Sequence, residues 1–151
     1  MERQDKVILT NMCMIYDNSG NVLVEEKIGK NYRGLILPGG HVEERESIVD
    51  SMIREIYEET GLTISNIEFC GIKDWVEEDG SRYMVFLYRT NNYSGTIISS
   101  TEGDVFWMPL DELKRMEVLW HLDLMLEIFC KNGPSELFFD RNSSALSPTL
   151  K

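Results

Sequence analysis

Residues 40–62 read Gly40-His-Val-Glu-Glu-Arg-Glu46-Ser-Ile-Val-Asp-Ser-Met-Ile-Arg54-Glu55-Ile56-Tyr-Glu58-Glu59-Thr-Gly61-Leu62. Five residues separate Gly40 from Glu46, and seven separate Glu46 from Arg54-Glu55-Ile56. The stretch follows Leu37-Pro38-Gly39, a short apolar run ending in a tight turn whose glycines allow the backbone to approach a ligand. The spacing predicts a helix from about Glu46 to Glu59, stopped by Gly61. At roughly 100° per residue, Ile48, Val49, Met52, Ile53 and Ile56 share one face, which should pack on a sheet. Glu55, Glu58 and Glu59 fall on another side, with Glu59 at the seam. Acids crowded on one flank repel by a few tenths of a kcal/mol per i,i+4 pair, or about that. A hard cation relieves that repulsion, and a cation held by carboxylates is a tool for phosphate chemistry.

The chain has 151 residues, 42% hydrophobic and 27% charged, which suits one globular domain with a real core. We expect that domain over residues 1–142 and a loose tail over 143–151. The net charge of −11 argues against binding a nucleic-acid polymer, which wants a basic footprint, but not against a small anion brought in with a metal. No apolar run has membrane-spanning length, and the first residues lack the shape of a signal peptide. Cys13, Cys70 and Cys130 form no CxxC pair and read as reduced structural thiols, so the expected compartment is the cytoplasm. Whether the protein is a monomer or a homodimer is not legible at this level.

Around the helix, Val7 to Ile15 and Val22 to Glu26 read as a hairpin across the turn Asp17–Asn21. Ile67 to Ile72 and Tyr83 to Thr90 read as strands, the latter apolar enough to be buried on both sides. Val105 to Met108 is a further strand, and Asp111 a candidate cap for a short helix. A longer helix is expected from about Leu119 to Lys131, with Leu137–Phe139 as an edge strand. Strands and helices in this order suggest an α/β fold with helices on both sides of a sheet. They do not alternate regularly, and no GxGxxG or P-loop occurs, so a Rossmann domain or P-loop enzyme is a poor fit.

Gly40 to Leu62 matches, at every specified position, the box GX5EX7REUXEEXGU (U apolar) of the Nudix family, and the chain resembles that family in its Leu-Pro-Gly-Gly entry as well. The resemblance implies an α/β/α sandwich with a mixed β-sheet between helices. It also implies Mg²⁺- or Mn²⁺-dependent hydrolysis of a nucleoside diphosphate linked to another group. Carried over by position, Glu58 and Glu59 are the implied central metal ligands and Gly39 a backbone-carbonyl ligand. Glu55 binds metal or takes the proton of the attacking water. Arg54 orients a carboxylate and, with Glu46, ties the loop down, while Gly40 and Gly61 support the turn and the helix end. A later loop acid, Glu102 or else Asp104, completes the metal set.

The short chain and the Glu102 loop ahead of Phe-Trp-Met-Pro-Leu resemble MutT-like 8-oxo-dGTP diphosphatases of that family, which implies a small nucleotide substrate and nucleotide-pool sanitation. Where oxidised-guanine readers carry Asn or paired Asp near the start of the last helix, this chain has Val118-Leu119-Trp120-His121. Candidate pocket residues are Trp75, Tyr83, Phe86, Trp107 and Trp120 for stacking or walls. Asn11, His121 or Asp123 are candidates for a base edge, and Lys27, Lys73 or Arg82 for phosphate. Two rivals remain: a Nudix enzyme for a nucleotide sugar or dinucleoside polyphosphate, and a nucleotide-sensing domain that has lost catalysis.

Overall fold

A computed structural model describes residues 2–145 and 147–151. It contains, in chain order, strands β1 (Val7–Ile15), β2 (Asn21–Ile28), β3 (Arg33–Ile36) and β4 (Gly39–His41), then helix α1 (Ile48–Thr60). Next come β5 (Thr63–Ser65), β6 (Glu68–Val76), β7 (Arg82–Thr90), β8 (Asn92–Ser94) and β9 (Asp104–Pro109). Helices α2 (Leu110–Leu113) and α3 (Leu122–Phe129) and strands β10 (Glu136–Asp140) and β11 (Thr149–Leu150) complete it. The main sheet runs β11-β10-β6-β7-β1-β4 and is mixed, because β1 lies parallel to β7 and β6 parallel to β10. A second sheet, β3-β2-β9, is antiparallel throughout.

Period-two alternation along β1 sends side chains to two separate cores. Cys13 and Ile15 join Leu23, Met52, Ile56 and Val105 on the α1 side. Met14 joins Val24, Leu87, Met125 and Phe129 on the α3 side. The result is the expected α/β/α sandwich. No helix among the described residues is long and apolar enough to cross a membrane.

Helix α1 begins two residues later than its sequence pattern predicts. Ser47 is its N-cap, with the side chain accepting from the Asp50 amide at 3.0 Å, so Glu46 stays in the preceding loop. Gly61 ends the helix in a left-handed conformation, φ 81°, where its N–H donates to the Tyr57 carbonyl. The buried face also differs. Met52 and Ile56 are buried as expected, but Val49 is exposed, and Ser51, Glu59 and Thr60 are buried in its stead. β1 and β2, expected as a hairpin, instead enter different sheets and pair with each other only at the bridge between Tyr16 and Val22, because β1 pairs with β4 and β7 while β2 pairs with β3 and β9. The turn between them rests on Asp17, whose carboxylate accepts from the Ser19 and Asn21 amides.

Three further expectations are corrected. β7 is buried at alternate positions, Val85 and Leu87, with Tyr83, Phe86 and Tyr88 half-covered. β10 is not an edge strand, because residues 143–151, expected as a loose tail, end in β11. Leu150 pairs with the fully buried Leu137 and packs on the α3-side core, which holds that end down. Pro109, not Asp111, occupies the N-cap of α2.

Candidate active site

Three elements bring acids to one place. β4 lies against β1, so the Gly39-Gly40 backbone runs beside Asn11 and Met12. α1 packs against both strands of this pair. Glu59 is turned inward from the seam of α1, is 2% exposed, and accepts the Gly39 N–H at 3.2 Å. Glu25 of β2 is fully buried, and neither of its carboxylate oxygens has a hydrogen-bond partner. Glu102 comes from the loop before β9, and its carboxylate and those of Glu25 and Glu59 offer oxygens within 4.8 Å of one another.

This cluster is electrostatically frustrated without a cation. Burial pushes the Glu59 carboxyl up to about 10, and the hydrogen bond to Glu102 and the charge of Glu25 push the same way. Glu25 is also raised, chiefly by burial, with Lys27 pulling the other way. Two orphaned, buried carboxylate oxygens beside two more acids form an all-oxygen donor set. A hard divalent ion such as Mg²⁺ or Mn²⁺ fits such a set.

Arg54 organises the neighbouring shell. Its Nε and Nη2 donate to the two oxygens of Glu46 at 2.8 and 2.9 Å, a bidentate pair. Nη1 donates to Glu55 at 2.9 Å and to Glu58 at 3.2 Å, and Nη2 also reaches the His41 carbonyl at 3.1 Å. This clamp joins the loop before α1, the end of β4 and the helix itself. The guanidinium holds Glu46 below the usual carboxylate range. Glu55 moves the opposite way, because burial outweighs Arg54. A Cβ at Gly40 would overlap the Glu55 carboxyl and displace it from its place on Arg54.

A cavity of about 720 Å³ opens from this acidic end across the α3-side face of the main sheet. Of the sequence candidates, Asn11, Lys27, Gly39, Gly40, Glu55, Glu59, Lys73, Trp75, Tyr83, Glu102, Trp120 and His121 line it. Asn11 is nonetheless engaged at both ends of its amide. Its oxygen accepts from the Gly40 N–H at 3.2 Å and its nitrogen donates to Ser51 at 2.8 Å, so it anchors the loop rather than offering a free edge.

Other candidates lie elsewhere. Trp107 faces the α1-side core, 5.2 Å from the Tyr93 ring, because its partner on β2 is Leu23 and both point that way. Asp104 pairs with Glu26 in β9 and is not in the acidic group. Arg82 is bound to Asp74 at 2.6 Å. Glu58 is 56% exposed, turned to Arg54, and outside the group of three.

Two further residues belong to the site: Glu25 in the acidic group and Phe139 in the cavity wall. Glu25 sits in a run, Val22 to Glu26, that reads as a strand, with no site role assigned to it. The signal was available: period-two spacing puts Glu25 on the same face as Leu23, a core position. Phe139 joins Trp75 and Tyr83 in a ladder across β10, β6 and β7, with Trp75 4.3 Å from Tyr83 and 5.2 Å from Phe139, both pairs near-parallel. Cys13 is buried, Cys70 and Cys130 are half-buried, and none is in a disulfide.

A family model for the NUDIX domain matches residues 8–127. The uncharacterized Nudix hydrolase YvcI of Bacillus subtilis is 35% identical over 86 residues, 54% of each chain. Phosphatase NudJ of Escherichia coli is 31% identical over 81 residues, covering 53% of this chain and 52% of that one. The matched stretch thus spans about half the length of these curated relatives. Among solved structures, the mutator protein MutT of Bacillus halodurans superposes with a TM-score of 0.76 at 25% identity, covering 95% of this chain and 97% of that one.

Proposed function

This chain belongs to the NUDIX domain family, and from that premise we propose that it hydrolyses a phosphoanhydride bond of a nucleoside triphosphate, giving a monophosphate and pyrophosphate. Oxidised dGTP is the favoured substrate and clearance of the cytoplasmic nucleotide pool the favoured role. The observation that carries the reading is the pair of unpartnered oxygens on buried Glu25, grouped with Glu59 and Glu102, two acids that line the cavity.

Glu25, Glu59 and Glu102 would hold Mg²⁺ or Mn²⁺, with the Gly39 backbone beside them. Such an ion neutralises phosphate charge and makes water a better nucleophile. The chain's own residues do the rest. Glu55 sits in the cavity wall with one oxygen on Arg54 Nη1 and a raised affinity for protons, which suits it to take a proton from the attacking water. Arg54 is a positioning residue: it fixes the Glu55 rotamer and pins the His41 carbonyl, so the glycine loop keeps its shape. The aromatic ladder supplies a wall for the base of the nucleotide, which leaves as the monophosphate.

The test is turnover of a nucleotide panel, normal and oxidised, with Mg²⁺ or Mn²⁺ and with a chelator, the products identified by phosphorus NMR. Metal-dependent pyrophosphate release is the expected result. Binding without turnover would make the protein a sensor. The name of the NudJ relative favours a second reading, hydrolysis of a different phosphorylated small molecule, and substrates of that kind belong in the same panel.

A further inference from the structure

At the end of the cavity away from the acids, Lys73 of β6 is 4% exposed. Its one described hydrogen bond runs from Nζ to the Trp120 carbonyl, at 2.6 Å. Nζ lies 5.1 Å from the centre of the Trp75 ring. Among the described residues no carboxylate is within 4.0 Å of it. A buried ammonium met by one carbonyl and one aromatic face, with no counter-charge, is costly. Burial, and then repulsion from Arg141, draws its pKa down to about 8, so it remains a cation at neutral pH.

The backbone facing it is also unusual. Trp120 and His121 are consecutive non-glycine residues in the left-handed region, φ 51° and 63°. That conformation is disfavoured for side-chain-bearing residues and concentrates at ligand clamps. Here it turns the Trp120 carbonyl onto Lys73 and places His121 in the cavity wall. Burial and the neighbouring Lys73 lower the His121 pKa, so its imidazole is neutral.

Position separates Lys73 from the phosphates. In register, Lys73 pairs with Val85, Val85 with Thr10, and Thr10 with His41 beside the glycine loop. Three strand spacings of about 4.8 Å put Lys73 roughly 14 Å from that loop along the sheet. A ribose and a base bridge that span. The phosphates belong at the acidic end.

We propose that Lys73 is the specificity-determining residue of this cavity, and that its ammonium takes the 6-oxo group of a purine. The inference rests on the nucleotide reading above. An ammonium only donates, so it matches the oxygen at the purine 6-position. A 6-amino group would bring donor against donor and leave the buried cation unmet. Lysine on the acceptor edge of guanine is a standard pairing, and a correct pair discriminates by roughly ten- to hundredfold.

Inosine and adenosine triphosphates test this cleanly, since they differ at the 6-position. With Mg²⁺, the unaltered protein should show a kcat/KM for ITP at least roughly tenfold above that for ATP. Lys73→Met should bring the ratio close to one, and Lys73→Gln, which keeps a neutral donor, should fall between. A structural or phosphate-binding role for Lys73 would move both substrates together, and that result would overturn the proposal, as would an unaltered ratio. Thermal melting of the variants checks that they fold. Calorimetry with inosine and adenosine monophosphates, without metal, gives a second readout: tighter binding of the inosine nucleotide, lost in Lys73→Met, supports the assignment. Equal binding, or none, overturns it. Failure of hydrolysis with this binding split intact would instead count against the enzymatic reading alone.

Discussion

Replacing Glu25 with Gln should stabilise the metal-free protein and weaken its response to metal. Glu25 is fully buried and both its oxygens lack partners. Its pKa is raised above the ordinary 4.5, chiefly by burial. An acid of this kind keeps in the folded state a proton that the unfolded chain has released. Its contribution to stability is therefore intact below pH 4.5 and is lost as pH rises towards the folded pKa. The cost of the retained proton therefore grows as pH rises above 4.5 towards neutrality.

Glutamine carries no such cost and removes one of the charges that raise Glu59. The metal-free variant should therefore melt higher at pH 7, with each kcal/mol gained worth about 2–4 °C in a chain of this size. The gap should close as pH falls to 4.5. Saturating Mn²⁺ should then raise the parent by about 3 kcal/mol at a hundredfold excess over Kd and the variant by clearly less. Scanning calorimetry in chelator and in Mn²⁺ reads both effects. A variant that melts below the parent in chelator and gains equally from Mn²⁺ would refute the reasoning.

Other expectations follow from the same geometry. Glu55→Gln should lower kcat by about 10²–10⁴-fold with an unaltered melting temperature, measured by pyrophosphate release; a small change would remove Glu55 as the base. Arg54→Lys cannot form the bidentate pair with Glu46 while reaching Glu55 and His41, and should cost about 10–100-fold in activity or metal affinity. Gly40→Ala puts a methyl group into the Glu55 carboxyl and should reduce kcat more than it raises KM, with an overpacking cost of about 1–3 kcal/mol seen on melting.

Local chemistry made α1 readable: a serine cap, apolar residues at helical spacing and a glycine stop each act within a few residues, and all three are present. The glycine entry was readable for the same reason. Features set by distant partners were not. Trp107 was a fair pocket candidate until its pairing with Leu23 turned it to the other core. The amide of Asn11 was a fair base reader until Ser51 and Gly40 claimed it. Period-two spacing from Leu23 separates Glu25 from its neighbour Glu26, but that Glu25 meets Glu59 and Glu102 depends on the packing of distant elements. The last strand depends on Leu137 and Leu150 meeting across a turn that carries no strong pattern.

The central claim is that Glu25, Glu59 and Glu102 gather a hard cation beside the glycine loop. Anomalous diffraction from crystals grown with Mn²⁺ and a non-hydrolysable triphosphate measures it directly. The account predicts a manganese peak bridged by those carboxylates, with phosphate oxygens against it. Manganese and phosphates bound elsewhere, with the Glu25 oxygens still unpartnered, would contradict it.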